Sequence, residues 1–352
     1  MVGDPGFTSQ LISGALSGMP PLETIPPGEP AAIDAIVRAI EARVRAAAGR
    51  GPAHRDAHPK AHGCVKAHLR VMDGLPPDLA VGLFADPAGY QTWVRFSNGS
   101  ETPQGDATGD GRGMAIKVMG VHASPSGTQD FVMINAPAFF VRNAADYVAF
   151  QAAASNPLGF FFPGLNPFRF RLHELRMARA ITSRVVSNPL NSRYWSMTPY
   201  LLGDIACKFS MKPVAPASIF EDRAAAGFLH DNLVRGLDLV DAAFDLCVQV
   251  RTQLNGMPVE DPTIEWSEAN APFVPVARLT IPRQTLDTPE RIAFGENLSS
   301  TPWHGLAAHR PLGGINRVRR TAYETISRLR HDLNHQPRTE PSAFQTTDPS
   351  GL

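Results

Sequence analysis

Three side chains near the C-terminal end of the chain lie at spacings that would gather them beside a metal. In the run Arg319-Arg320-Thr321-Ala322-Tyr323 and on to Arg330, a turn of roughly 100° per residue brings Arg319, Tyr323 and Arg330 within about 40° of one another on a helix. A guanidinium beside a phenol favours the ionised form of a group whose ordinary pKa is about 10. Such a face could supply a phenolate to a metal, and haem iron is one that accepts it. The same segment also carries Arg317, Arg320 and Arg328. A chance neighbour of Tyr on an Arg-rich helix is therefore the competing reading of this segment taken alone.

A second candidate is Arg55-Asp56-Ala57-His58-Pro59-Lys60-Ala61-His62-Gly63, just before the first expected strand. A histidine has the side-chain pKa nearest neutrality, so His58 could take and return a proton within one turnover. His58 and His62 are four apart, but Pro59 and Gly63 oppose a helix there and no third zinc ligand is evident. In Arg95-Phe96-Ser97 the strand period of two puts Arg95 and Ser97 on one side and Phe96 on the other. A cation and a hydroxyl could thus face one pocket, although a strand ending in a polar turn would look the same. In Asn135-Ala136-Pro137-Ala138-Phe139-Phe140 an amide ends an apolar strand and two rings follow. Asn135 could donate to a ligand or cap a turn before Pro137, and Phe139 and Phe140 offer flat apolar surface to a planar cofactor.

The elements that must position these residues are legible in outline. Residues 1–30 are rich in Gly and Pro and are expected to form a surface arm. Residues 31–48 read as an amphipathic helix with a stripe of Ile33, Ile36, Val37, Ile40 and Val44, stopped near Gly49 and Gly51. Short β-like runs follow at 68–71, 92–96, 113–118 and 130–134, and again at 207–210, 244–250 and 274–281, separated by turn residues. That pattern points to a closed or strongly curved sheet. Residues 144–192 mix helical periods with an aromatic, Pro-rich loop at 160–168. No stretch reads as a linker between independent domains, and only the tail after His335 is expected to be disordered.

Composition narrows the function classes. The 352 residues are 43% hydrophobic, ample for a large core, and Lys+Arg and Asp+Glu are both 33. With no basic surplus, a generic nucleic-acid binder is not expected. Cys64, Cys207 and Cys247 are odd in number and far apart, which fits a reducing compartment. No run of roughly 18 apolar residues suggests a membrane span and no leader is evident, so a soluble cytoplasmic protein is expected.

Taken in order, Arg55-x-x-His58, Arg95-Phe96-Ser97, Arg112-Gly113-Met114-Ala115-Ile116-Lys117-Val118, Asn135-x-Pro137-x-Phe139-Phe140 and Arg319-x-x-x-Tyr323 resemble the haem-dependent catalase family. The resemblance runs from about Arg55 to Arg330. It implies an α+β fold: an eight-stranded antiparallel β-barrel with surrounding helices, one of which carries the tyrosine, in a single haem domain over residues 31–335. It implies that His58 and Asn135 are the distal catalytic pair and that Ser97 hydrogen-bonds His58. Tyr323 would be the proximal iron ligand, Arg319 would keep it ionised, and Arg55, Arg95 and Arg330 would neutralise the haem propionates. Phe140 would pack over the distal haem face.

Departures from the family pattern shape the expected activity. The chain ends soon after the tyrosine helix, so the C-terminal helical domain and NADPH binding are not expected. The short arm puts the usual tetramer in doubt while leaving a homo-oligomer open. Tyr323 is followed by Glu324 and Thr325 where catalases usually have Pro-Asp, and the stretch from His309 to Arg317 is similar to small catalase-related proteins. The implied activity is a haem b peroxidase with catalase potential, taking hydrogen peroxide or an organic hydroperoxide and a small-molecule reductant. Rearrangement of fatty-acid hydroperoxides, as in allene oxide synthases, and haem binding without catalysis are the alternatives.

Overall fold

Each early strand puts its apolar residues on one side and its chemistry on the other, and that division places the site outside the barrel. The computed structural model describes residues 22–49, 51–153, 156–215 and 221–344. Its strands are β1 (Ala61–Val71), β2 (Gly89–Asn98), β3 (Arg112–Met119), β4 (Thr128–Ile134), β5 (Tyr194–Trp195), β6 (Tyr200–Leu202), β7 (Ile205–Pro213), β8 (Ala242–Val250) and β9 (Val274–Ile281). All pair antiparallel in the order β5-β4-β3-β2-β1-β9-β8-β7-β6, and β5 also pairs with β7. That last pairing closes eight strands into the expected barrel, with β6 hanging from β7 as a hairpin arm.

Val65, Ala67, Val94, Phe96, Met114, Ile116, Phe131 and Met133 fill the barrel with the apolar residues of β7 to β9. Complete burial of such a side chain contributes about 1.5–3 kcal/mol. The alternate residues Lys66, Trp93, Arg95, Ser97, Lys117 and Asp130 therefore point outward, where helices and loops cover them.

The helices are α1 (Glu29–Ala48), α2 (Ala144–Ala152), α3 (Pro157–Phe161), α4 (Leu172–Thr182), α5 (Phe228–Leu239), α6 (Pro289–Asn297) and α7 (Gly314–Leu333). Ile36, Val37, Ile40 and Val44 of α1 pack against Val318, Ala322, Ile326 and Leu329 of α7, with Ala144 of α2 beside them. The stripe expected for the first helix is thus its buried face, with Ile33 at the edge. The start of α7 is fixed by Arg317, whose guanidinium meets Glu29 at 2.5 Å, Glu23 at 2.7 Å and Glu260 at 2.9 Å.

The structure corrects several boundaries. β1 begins at Ala61, well before the expected 68, because His62 and Lys66 are buried despite being polar and so break the alternation. β5 and β6 were not expected, being too short to carry a pattern. The first helix begins two residues early, at Glu29. Residues 336–344, expected to be disordered, are tied down. Arg338 forks onto Glu324 at 2.8 and 2.7 Å, Glu340 accepts from Lys117 at 2.6 Å, and the Phe344 amide donates to Gln91 at 2.7 Å. The rest of the expected tail, and most of the expected arm, lie outside the described residues.

Candidate active site

The barrel side of the site is built by register. Ser97 of β2 stands opposite Gly113 of β3, and the loop before β1 lays His58 over this pair, with His58 Nδ1 3.1 Å from Ser97 Oγ. His58 adopts φ 62°, a left-handed conformation uncommon outside glycine, and its amide donates to the Gly99 carbonyl at 3.4 Å. A Cβ on Gly113 would stand 2.6 Å from His58 Nδ1 and 2.7 Å from Ser97 Oγ. Glycine is thus the residue that lets the imidazole lie on the sheet.

Burial and then Arg95 push the His58 pKa down to about 4, so the ring stands neutral near pH 7. In the tautomer that donates Nδ1–H to Ser97 Oγ, Nε2 keeps a lone pair for a proton. Asn135, at the end of β4, accepts from the Arg112 amide at 2.7 Å and donates its own amide to the Arg112 carbonyl at 2.9 Å. Its Oδ1 is thereby fixed, and its side-chain NH2 makes no hydrogen bond among the described residues. It remains available as a donor.

The helix side is built by period. Arg319 Nη2 donates to the Tyr323 phenol at 3.3 Å, and the guanidinium lies over the ring at 5.2 Å. Arg319 Nη1 also reaches Asn316 Oδ1 at 3.2 Å and Thr198 Oγ1 at 3.4 Å. Asn316 is buried and donates to the carbonyls of Pro199 and Leu312, both at 2.9 Å. Despite its burial Arg319 is held more firmly charged than usual, the Tyr323 and Tyr200 phenols being the cause.

A third group lies between α6 and the end of α7. Arg330 donates to the carbonyls of Glu296 and Asn297, and Arg55 to those of Gly295 and Leu298. Arg55 lies 3.1 Å and Arg95 3.8 Å from Glu296. Two guanidiniums thus share the Glu296 carboxylate, while Arg330 meets only the main-chain carbonyl of that residue. Burial and then the Arg55 charge push Arg95 down to about 9 and Arg330 down to about 10. Arg55 Nη1 and Arg95 Nε are buried without a well-formed hydrogen bond.

The structure therefore brings His58 and Ser97 together, gathers Arg55, Arg95 and Arg330, and pairs Arg319 with Tyr323. Phe140 is half-buried and begins an aromatic row, 4.8 Å from Phe139 and 4.9 Å from Phe150, with Phe160 5.5 Å beyond. Sequence reasoning missed Glu296, Asn316 and Thr198, which carry no local motif. Gly113 was in view only as part of a string. An open cavity of about 470 Å³ is lined by Pro125, Ser126, Trp303, His304, Arg338 and Glu340, none of them residues of this site.

Among solved structures the fold is that of catalases. The chain superposes on a bacterial catalase with a TM-score of 0.62 at 17% identity, covering 88% of this chain and 66% of that one. A fungal catalase gives 0.66 at 17%, covering 84% and 63%. Catalase A from Saccharomyces cerevisiae gives 0.66 at 17%, covering 87% and 67%. The chain thus spans about two thirds of the length of these proteins. By sequence, no family model and no curated protein matches it.

The residues present fit a haem group. The phenol beside a fixed cation and the clustered guanidiniums, with Arg95 Nε buried and without a hydrogen-bond partner, would suit a planar iron cofactor bearing two carboxylates.

Proposed function

We propose that the protein is a haem-dependent enzyme that reduces peroxides. The observation that carries this reading is the Arg319–Tyr323 pair at 3.3 Å on α7, within a fold whose barrel face offers a neutral histidine seated on Ser97. Tyr323 is the proposed iron ligand, and Arg319 holds its oxygen in place. Arg55, Arg95 and Arg330 would bind the propionates, which would add negative charge to a cluster that has Glu296 as its carboxylate. Phe140 would pack against the haem.

Haem b, when bound, supplies a Lewis-acidic iron able to exchange two electrons with a peroxide. His58 Nε2 takes the proton from one peroxide oxygen and returns it to the other, making the departing group water or an alcohol. Ser97 keeps the imidazole in the tautomer this needs, and the Asn135 NH2 orients the substrate. A second peroxide or a small-molecule reductant completes the cycle. The row Phe140, Phe150 and Phe160 supports organic hydroperoxides as substrates beside hydrogen peroxide. It is also what favours the second reading, rearrangement of a fatty-acid hydroperoxide without a reductant.

We place this activity in the single unit over residues 31–335. A cytoplasmic location is supported by the free, buried Cys64, Cys207 and Cys247; burial raises all three thiol pKa values, Cys64 and Cys247 to about 11. Among the described residues, no helix is long and apolar enough to cross a membrane.

The test is the visible spectrum of the ferric, haem-loaded protein beside its Tyr323→Phe variant, followed by oxygen release and donor oxidation with peroxide. A high-spin tyrosinate spectrum lost in the variant is expected. A spectrum indifferent to Tyr323 would sink the proposal. Ketol formation from a lipid hydroperoxide with no reductant consumed would move the assignment to the second reading.

A further inference from the structure

The formally neutral chain hides a strong local charge segregation. Between Asp146 and Asp204 the sequence has one acidic residue, Glu174, against Arg169, Arg171, Arg176, Arg179, Arg184 and Arg193. Glu174 is buried and already neutralised by Arg142 at 2.6 Å. Arg171 is spent on Asp146 at 3.3 Å and on the Phe160 carbonyl at 2.8 Å. Arg169, Arg176 and Arg179 are exposed and form no ion pair among the described residues.

The same stretch exposes large apolar side chains. Phe168 is 97% exposed, and Leu158 and Leu172 59% and 58%. They are brought together by a tight fold-back. The Arg171 amide donates to the Phe161 carbonyl at 2.9 Å, and the Phe162 and Phe170 rings meet edge to face at 5.0 Å. Phe168 is thus presented at the tip by a built turn, with the Asn166 side chain capping its amide at 3.1 Å. On α4, Leu172, Arg176 and Arg179 fall on one face by the helical period, and all three are exposed.

We propose that the face formed by α3, the 163–171 turn and the outer side of α4 docks onto an anionic lipid bilayer. Exposed Phe and Leu beside unpaired arginines match the pattern of surfaces that insert shallowly among acyl chains while basic groups meet anionic headgroups. Charge argues against a second copy of the chain as the occupant, since a two-fold contact would press two arginine-rich faces together. Phe160 at the base of this face continues through Phe150 to Phe140, so a hydroperoxide of a membrane lipid would be presented beside the apolar row that ends at Phe140. That consequence rests on the proposed peroxide chemistry. The docking itself does not, and it is measured without turnover.

The experiment is cosedimentation of the full chain with vesicles of phosphatidylcholine alone and of phosphatidylcholine mixed with phosphatidylglycerol. Preferential binding to the anionic vesicles, weakened by salt, is expected. The Arg176→Gln/Arg179→Gln double variant should bind about 30-fold more weakly, at the usual gain per basic residue near such a surface. Phe168→Ser, at a position that packs on almost nothing, should also lose binding while the absorption spectrum stays that of the parent. Equal binding to both vesicle types, or binding indifferent to these variants, would overturn the proposal. So would concentration-dependent self-association without lipid that Phe168→Ser abolishes, which would assign the face to a second copy.

Discussion

The barrel side and the helix side of the candidate site are built by different physics. On the barrel side, His58, Ser97, Gly113 and Asn135 come from a loop, two strands and a strand end, and their relation is fixed by cross-strand register. The groups there are neutral, and the contacts are tight enough that one Cβ would intrude. On the helix side, Arg319 and Tyr323 are neighbours through the period of a single helix, and Arg319 is held charged among phenols and amides. The barrel side is thus a device of shape, sensitive to sub-ångström intrusion, and the helix side a device of charge, sensitive to loss of a polar support.

This difference also decided what could be read from sequence. Arg319 and Tyr323 were legible as a pair because a helix converts spacing directly into proximity, whereas Arg330, expected beside them, bonds the Glu296 and Asn297 carbonyls of α6 instead. Arg95 and Ser97 were legible as a pair on one side of a strand, with Phe96 in the core. What brings His58 over Ser97 was not, because it depends on the Ser97–Gly113 register and on a positive φ at His58, neither of which has a local pattern. Glu296 and Thr198 act on arginines far off in the chain, and Asn316 ties Arg319 to the distant Pro199 carbonyl and Thr198; long-range contacts also hold 336–344, where polar composition suggested disorder. The barrel itself was visible in its longer strands, but its closure rests on β5, two residues long. The resemblance to catalases supplied the roles; the spacings alone left Tyr323 and Asn135 with two readings each.

The largest expected effect comes from breaking shape on the barrel side without touching a polar group. Gly113→Ala places a methyl within 2.6 Å of His58 Nδ1, so the ring must shift away from Ser97. Misplacement of a reacting group by about 1 Å costs on the order of 10²-fold in rate. Peroxide consumption by the haem-loaded variant should fall by about that factor while the ferric spectrum, set on the helix side, stays unchanged. Parent-like turnover would show that the His58–Ser97 contact is not what positions the base.

Breaking charge support on the helix side should have the opposite signature. Asn316→Ala removes the acceptor at 3.2 Å from Arg319 and takes the side-chain donor from the Pro199 and Leu312 carbonyls, Pro199 keeping the Leu312 amide at 2.9 Å. Loss of buried polar partners costs about 1–3 kcal/mol, which urea unfolding should register. The ferric spectrum should change as Arg319 loosens from Tyr323, and turnover should fall less than in Gly113→Ala.

Acid separates the two sides most finely. Burial pushes His62 and His309 down to about 4, as it does His58. His309 Nε2 accepts from the Leu83 amide at 2.9 Å, a bond that protonation would break. With folded pKa values below the unfolded one, the unfolded chain binds more protons between about pH 6.5 and 4, so stability must fall as pH falls through that window. At pH 5 the loss is of order 1–2 kcal/mol for each such histidine. Urea midpoints at pH 7.5 and 5 should show it, and His309→Gln should flatten the slope if the variant keeps an acceptor for the Leu83 amide. Over the same range His58 stays largely neutral, so turnover by protein that is still folded should hold nearly level from pH 7 to 5. The Arg319 charge is untouched, and the ferric spectrum should hold with it. A rate that instead halves near pH 6.5, in protein that remains folded, would mean that His58 is more open to water than its seat against Ser97 and Arg95 implies.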